Sequence, residues 1–453
     1  MHFSISPLDG RYAKSLPQHG EYFSEYALMR ARCIVEAKYS LALNQLNIFE
    51  KGLSAEEIKA LEAIIANFSL ADYEAIKAIE AETKHDVKAC EMFLRIRTKV
   101  ENEHIFHFAL TSEDINNLAY NLMLKDYVEQ CQKPQLKKLL STLVEKVKLW
   151  QHKPFPTRTH GQKASPSTAG KELAVFINRL LPYVKAIEDF QFYGKLNGAV
   201  GNFSAMYAAL PQINWIAFSQ QFIEDLGLQM NICTTQIEPH DYFANYFNLS
   251  RQINNIIADL DTDCWLYISY GLFQEETQKK EVGSSTMPHK VNPINFENSE
   301  GNIAISNSLL AMMSDKLCRS RMQRDLSDST VLRNIGVALG HAYLAINETM
   351  KGLNKLKLNE NLCLEILEQS PEVLAEPIQT ILKLAGVADP YSLLKEHTRG
   401  KAITMEMLLN LVDNLSIEDK YKKQIFALTP ETYIGVAGDI CAIVLEKADQ
   451  YLG

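Results

Sequence analysis

The stretch Tyr242–Phe273, YFANYFNLSRQINNIIADLDTDCWLYISYGLF, carries apolar residues at helical spacing along its whole length. A helix of that length runs well past the average for globular proteins. The same periodicity recurs over Glu21–Leu46, Ser54–Asn67, Glu113–Trp150, Thr168–Phe192, Pro293–Leu317 and Ser329–Leu356. Strand-like alternation bounded by turn signals is nearly absent, and its best candidate is the short stretch Ile232–Ile237. The chain therefore reads as all-α, with a central bundle of very long helices. Long helices that are apolar on more than one face need more partners than one chain supplies, so the pattern also points to packing between copies.

Breaks in the helical pattern fall at Thr111-Ser112, where Thr111 and Asp114 have capping-box spacing, at Lys153-Pro154-Phe155-Pro156 and around Ser370-Pro371. They suggest an N-terminal helical domain over 1–112, a central long-helix bundle over 113–365 and a C-terminal helical domain over 366–453. At 453 residues, 47% hydrophobic and 22% charged, the chain has the composition of a folded protein with a large core. No apolar run approaches the roughly 18–20 residues needed to span a bilayer, and the N-terminus lacks a basic and apolar leader, so a cytoplasmic location is expected.

A formal charge of −9 argues against a broad nucleic-acid or acidic-membrane surface, while leaving room for a local pocket for a small anion. The eight cysteines lie far apart, with no Cys-x-x-Cys pair, and read as buried reduced thiols. His104-x-x-His107 has no third ligand at metal spacing. Gly194-Lys195-Leu196-Asn197-Gly198-Ala199-Val200-Gly201 lacks the spacing and the preceding strand of a dinucleotide fold, and no phosphate-binding P-loop occurs.

Several polar loops stand between the helical patterns. Gly283-Ser284-Ser285-Thr286-Met287-Pro288-His289-Lys290-Val291-Asn292-Pro293 offers three hydroxyls, a fixed cation and an Asn-Pro pair that reads as an N-cap and first-turn proline. By residue type it is either a serine-rich linker ending in a cap or a loop that handles an anion and a proton together. His160, in Thr157-Arg158-Thr159-His160-Gly161-Gln162-Lys163, is either a general acid or a structural hydrogen-bonder. Lys84-His85-Asp86 pairs an imidazole with a carboxylate, or is a solvated helix face. Thr111-Ser112-Glu113-Asp114 is a capped helix start or a polar binding edge. Arg319, Arg321, Arg324 and Arg333, with Ser329 and Thr330, suit a phosphate or carboxylate as well as they suit a surface salt-bridge network. Asp9-Gly10-Arg11-Tyr12 offers another anion-binding pair on a turn.

Taken together, the Gly283–Pro293 loop, Thr159-His160-Gly161-Gln162, Thr111-Ser112 and the Gly198-Ala199-Val200-Gly201 turn resemble the fumarase/aspartase superfamily of fumarate-releasing lyases. The forms Ser-Ser-Thr-Met-Pro-His-Lys-Val-Asn-Pro, Thr-Lys-His-Asp-Val-Lys, Thr-Thr-Gln-Ile-Glu-Pro-His-Asp and Arg-Asp-Leu-Ser-Asp-Ser-Thr-Val-Leu-Arg-Asn are similar to the branch that acts on succinyl-amino purine nucleotides. The resemblance runs from Ser6 to the C-terminal region. It implies β-elimination of fumarate from adenylosuccinate and from the succinylcarboxamide imidazole ribotide (SAICAR), with no cofactor and no metal. Argininosuccinate or malate chemistry on the same fold is the alternative.

The resemblance also implies residue roles. Ser284 is the base, His160 the acid, Glu297 the carboxylate that supports a histidine, and His85 a second histidine near the phosphate or leaving group. Arg11, Tyr12, Lys84, Asp86, Thr111, Ser112, Gln236, Ser285, Lys290, Asn292, Asn298, Arg324, Ser329 and Arg333 are implied to bind substrate. It further implies a homotetramer whose long helices form a core of twenty, with sites shared between subunits. One departure from relatives is Lys163-Ala164-Ser165, which sets an extra cation next to the acid.

Overall fold

The computed structural model describes residues 3–276, 291–398 and 403–453. Those residues are overwhelmingly helical. The strands among them are two or three residues long and pair into two-stranded ribbons. The chain groups into two compact units, one from residues 1–135, 183–255 and 301–345, the other from 136–182, 256–300 and 346–453.

In the first unit, helix Glu25–Gln45 starts where the Ser24 hydroxyl accepts from the Ala27 amide, 3.2 Å away. Ser54 with Glu57 and Ser69 with Asp72 form capping boxes that open Ala55–Asn67 and Leu70–Thr83. The expected Thr111/Asp114 box is present at the start of Ser112–Tyr127, where the Thr111 amide donates to Asp114 Oδ2 at 2.9 Å. The helical pattern over Glu113–Trp150 is continuous except for one π turn, Val128–Gln132, that joins Ser112–Tyr127 to Lys133–Trp150. The core includes Cys33, Tyr39, Leu118, Tyr127, Tyr246 and Phe247, each almost fully buried. Burial of such side chains stabilises by roughly 1.5–3 kcal/mol apiece.

Ile232–Ile237 is not a strand. The strand lies just before it, Gln229–Met230, in parallel with Tyr193–Gly194. The Asn231 amide still donates to the Gly194 carbonyl at 2.8 Å; beyond it Thr234 Oγ1 bonds the Asn197 side chain, and the Gln236 carbonyl accepts from Lys195 Nζ.

In the second unit, the Phe273–Glu275 strand pairs antiparallel with Leu356–Leu358, and Phe273 stacks on Trp150 at 5.3 Å between centroids. A separate cluster around Leu374, Ile378, Leu382, Val412 and Ile425 forms the C-terminal core. Helices Asp241–Ser269, Ile294–Leu317 and Ile335–Lys355 each contribute residues to both units. The quoted Tyr242–Phe273 pattern thus ends in a turn and a strand after Ser269, where Gly271 (φ 76°) breaks it. Leu266, Ile294, Ile305 and Met312 stay exposed on these helices.

Six of the eight cysteines are buried, as expected, but Cys233 and Cys318 are exposed. Cys233 lies in the irregular 231–240 segment and Cys318 just past the end of Ile294–Leu317, so no packed face covers them. Among the described residues, no helix is long and apolar enough to cross a membrane.

Candidate active site

Five of the sequence motifs lie in the first unit, where ion pairs and hydrogen bonds tie them into two polar knots. Helix Leu70–Thr83 closes on Lys84 in the left-handed conformation (φ 55°), and His85 then caps Asp86–Thr98, its Nδ1 accepting from the Lys88 amide at 3.2 Å. An acceptor at Nδ1 puts the proton of the neutral ring on Nε2. Lys84 and His85 are exposed.

Asp86 Oδ2 receives Arg32 Nη1 at 2.9 Å and Arg333 Nη2 at 3.1 Å. Burial pushes this carboxyl up, but Arg32, the Val87 amide and Arg333 outweigh it and hold the group below the ordinary aspartate range. Arg32 Nε donates to Asn116 Oδ1 (2.9 Å), Asn116 donates to Glu113 Oε2 (3.3 Å), and Arg324 Nη2 stands 2.9 Å from that same oxygen. Arg333 also donates to the Ser329 carbonyl at 3.0 Å and to its hydroxyl. The chain Arg333–Asp86–Arg32–Asn116–Glu113–Arg324 thus alternates in charge, and its carboxylates fix each guanidinium in place. Arg319 and Arg321 do not join it; they are exposed and bind the Asp315 carbonyl and Asp325 respectively.

Beside this chain sits His240, almost fully buried, with Nδ1 3.7 Å from Glu238 and Nε2 4.0 Å from Asp328. Burial depresses its basicity, but Asp328, Glu238 and Glu113 outweigh burial and raise it above the usual histidine range. Both His240 nitrogens, Glu113 Oε1, Arg324 Nε and Asp328 Oδ2 make no hydrogen bond among the described residues. Buried polar atoms in such numbers mark a place where water or a ligand group belongs.

Thr111 and Gln236 are gathered by a second knot, with Ser112 next to Thr111 at the helix start. The Asp114 carboxylate accepts from the amides of Thr111 (2.9 Å), Asn197 (3.1 Å) and Gly198 (3.2 Å). The Gln236 side chain donates to the Ala199 carbonyl at 3.0 Å. A cleft of about 440 Å³ opens next to Arg333, with Ser6, Asp9, Ala13, Ser24 and Gly336 among its lining. Arg11 and Tyr12 lie between Asp9 and Ala13, the guanidinium 5.9 Å from the Tyr12 ring centre.

The second unit carries His160, Glu297, Asn292 and Asn298. Arg158–Thr159 pairs with Gln162–Lys163, so His160 (φ 52°) and Gly161 (φ 73°) form a two-residue hairpin turn with both φ positive. The His160 side chain is exposed at the tip and makes no hydrogen bond among the described residues. Glu297 Oε1 accepts from the Trp265 indole at 3.1 Å. Lys163 pairs with Glu372 at 3.2 Å, which partly neutralises the extra cation beside His160. Asn292 precedes Ile294–Leu317, its carbonyl taking the Ile294 amide at 2.8 Å, and Asn298 is half-buried on that helix. Ser284, Ser285 and Lys290 lie outside the described residues.

Arg32, Asn116, Lys195, His240 and Asp328 are members of these polar networks to which motif reading gives no role. Arg32 had a legible signal: a cation among Leu28, Met29, Ala31 and Val35 on a core face needs a buried partner.

Comparison with known proteins agrees with the motifs. Residues 10–305 match a lyase family model, and residues 320–434 match the model of the adenylosuccinate lyase C-terminal domain. The chain is 45% identical over 446 residues to adenylosuccinate lyase of Haemophilus influenzae, covering 96% of this chain and 97% of that one. It is 44% identical over 441 residues to the Escherichia coli K12 enzyme, with the same coverage. In fold it is similar to the 3-carboxy-cis,cis-muconate lactonizing enzyme of Pseudomonas putida, with a TM-score of 0.77 at 19% identity, covering 96% of this chain and 98% of that one. A fumarate lyase from Mesorhizobium sp. BNC1 gives the same TM-score at 17% identity, covering 95% and 97%. Identity at this level across nearly the whole length, together with a C-terminal domain specific to one branch, means that the chain belongs to the adenylosuccinate lyase family.

Proposed function

We propose that this protein cleaves the C–N bond of adenylosuccinate to AMP and fumarate, and that of SAICAR to AICAR and fumarate. The observation that carries the reading is the near full-length similarity to adenylosuccinate lyases, with the family's C-terminal domain, over argininosuccinate lyase or fumarase.

The chemistry asks for a base at the carbon next to a carboxylate, an acid at the leaving nitrogen and fixed donors for the aci-carboxylate that forms between. Ser284 takes the proton and His160 delivers one to the nitrogen, with Glu297 supporting a histidine and His85 near the phosphate. A serine is a weak base, so water exclusion and local positive charge must favour its alkoxide. Ser285, Lys290, Asn292 and Asn298 hold the carboxylates, as do Thr111, Ser112 and Gln236. Arg11, Tyr12, Lys84, Asp86, Arg324, Ser329 and Arg333 form the nucleotide side, and the guanidinium chain at Asp86 and Glu113 supports that part of the reading.

The enzyme works as a cytoplasmic homotetramer built on a twenty-helix core, each chain divided at 112 and 365, with acid and base from different subunits. The exposed apolar residues on the long helices support this assembly. The test is turnover: adenylosuccinate absorbance is lost, while argininosuccinate and malate are untouched. Ser284→Ala and His160→Ala should each be inactive and regain activity on subunit mixing; no recovery after verified exchange rejects shared sites.

A further inference from the structure

Lys195 is fully buried, and so is its partner Asp114, 2.9 Å away. Nζ also donates to the Gly198 carbonyl at 3.0 Å and the Gln236 carbonyl at 2.7 Å. An ammonium has three protons, and here each has an acceptor. The group therefore has nothing left for a substrate. Lys195 is fixed at its backbone as well: its amide donates to Asn117 Oδ1 at 2.8 Å, and its carbonyl accepts from Asn117 Nδ2 at 3.0 Å.

A buried ion pair of this kind is a poor stabiliser, since both ions lose their hydration and a well-packed apolar pair of equal volume does as well or better. Directional bonds are what it offers. Asp114 and Lys195 between them bind Thr111, Asn197, Gly198 and Gln236, which come from a helix start, a glycine turn and an irregular segment distant in sequence. The turn has no slack of its own: Gly201 has φ +74°, and a Cβ there would lie 2.1 Å from the Thr234 carbonyl oxygen.

We infer that Lys195 is a positioning residue: through Asp114 and the Gln236 carbonyl it holds Thr111, Ser112 and Gln236 as one rigid polar wall that receives the anionic substrate. This rests on the lyase reading above. Without Lys195 the Gln236 segment keeps only its side-chain bonds, Gln236 to Ala199 and Thr234 to Asn197, and Asp114 loses its counter-ion at the Thr111 helix start.

The test compares wild-type enzyme with Lys195→Met and the charge-balanced double variant Lys195→Met/Asp114→Asn, reading kcat, KM for adenylosuccinate, melting temperature and oligomeric state. In whichever variant folds, KM should rise roughly tenfold or more while kcat stays within about threefold, since the interaction lost serves the ground and transition states alike. A folded variant with KM within about twofold of wild type overturns the inference, as does a fall in kcat that merely tracks melting. Where neither variant folds, amide exchange on the wild-type enzyme decides. Protection of Asn197 and Gly198 should rise when AMP and fumarate are added together, and unchanged exchange rejects the role. Failure of wild-type enzyme to turn over adenylosuccinate sinks the lyase reading itself, and is thereby told apart from failure of the Lys195 assignment.

Discussion

Asp261 to asparagine is the substitution whose effect can be worked out furthest. Asp261 is buried in the second unit, where Thr349 Oγ1 donates to its two oxygens at 2.8 and 3.1 Å and Ser299 Oγ stands 2.9 Å from Thr349 Oγ1. The triad joins helices Asp241–Ser269, Ile294–Leu317 and Ile335–Lys355. Burial raises the Asp261 carboxyl from 3.8 to about 8; bonds from Ser299 and Thr349 pull it back, and Glu300 adds to the rise. The folded chain therefore keeps a proton that the unfolded chain releases above about pH 4. With the folded value raised, the group's stability is fully present below the unfolded pKa and is lost as pH climbs to about 8. The loss runs at ~1.4 kcal/mol per pH unit, so between about pH 5.5 and 7.5 wild-type enzyme should lose roughly 2–3 kcal/mol through this group.

Asparagine cannot ionise, so Asp261→Asn should lack that slope. The assay is denaturant unfolding of both proteins at one fixed protein concentration across that pH range, followed by circular dichroism, with oligomeric state verified because association adds to apparent stability. The variant should gain on wild type as pH rises. A difference flat to within ~0.5 kcal/mol would show that the buried carboxyl does not hold the proton, and would refute the reasoning.

Other substitutions probe the site. His160→Asn should keep the hairpin, since asparagine tolerates positive φ, yet lower kcat by about 10²–10⁴-fold in steady-state assays; wild-type turnover excludes His160 as the acid. Arg324→Ala leaves Glu113 buried with one partner fewer and should destabilise by roughly 2–4 kcal/mol in thermal melts, with a rise in KM. Asp86 has a depressed pKa, so its stabilising effect is present above the unfolded value of 3.8 and disappears as pH falls through the lower folded value. Asp86→Asn should therefore flatten that acid limb of the stability profile; an unchanged limb would mean that Arg32 and Arg333 do not hold the charge. Gly201→Ala should lower the melting temperature through at least ~1–3 kcal/mol of strain, and an unaltered melt would show that the Gly198–Gly201 turn yields easily.

Much of the molecule was written in local patterns. Helical periodicity, the Thr111/Asp114 box and the glycine turn depend on neighbours a few positions apart, so they could be read directly. The family motifs likewise named Asp86, Arg324, Ser329 and Arg333, which the fold brings together. The sequence by itself could not say which cation meets which carboxylate. Arg32 reaches Asp86, Arg324 reaches Glu113, and Lys195 reaches Asp114 across dozens to hundreds of positions. Those pairings follow from burial, since an ion removed from water must take whatever partner the packing sets beside it. Periodicity and motif spacing thus determined the helices and the family, and only the tertiary structure decided the charge pairing that turns separate polar loops into a site.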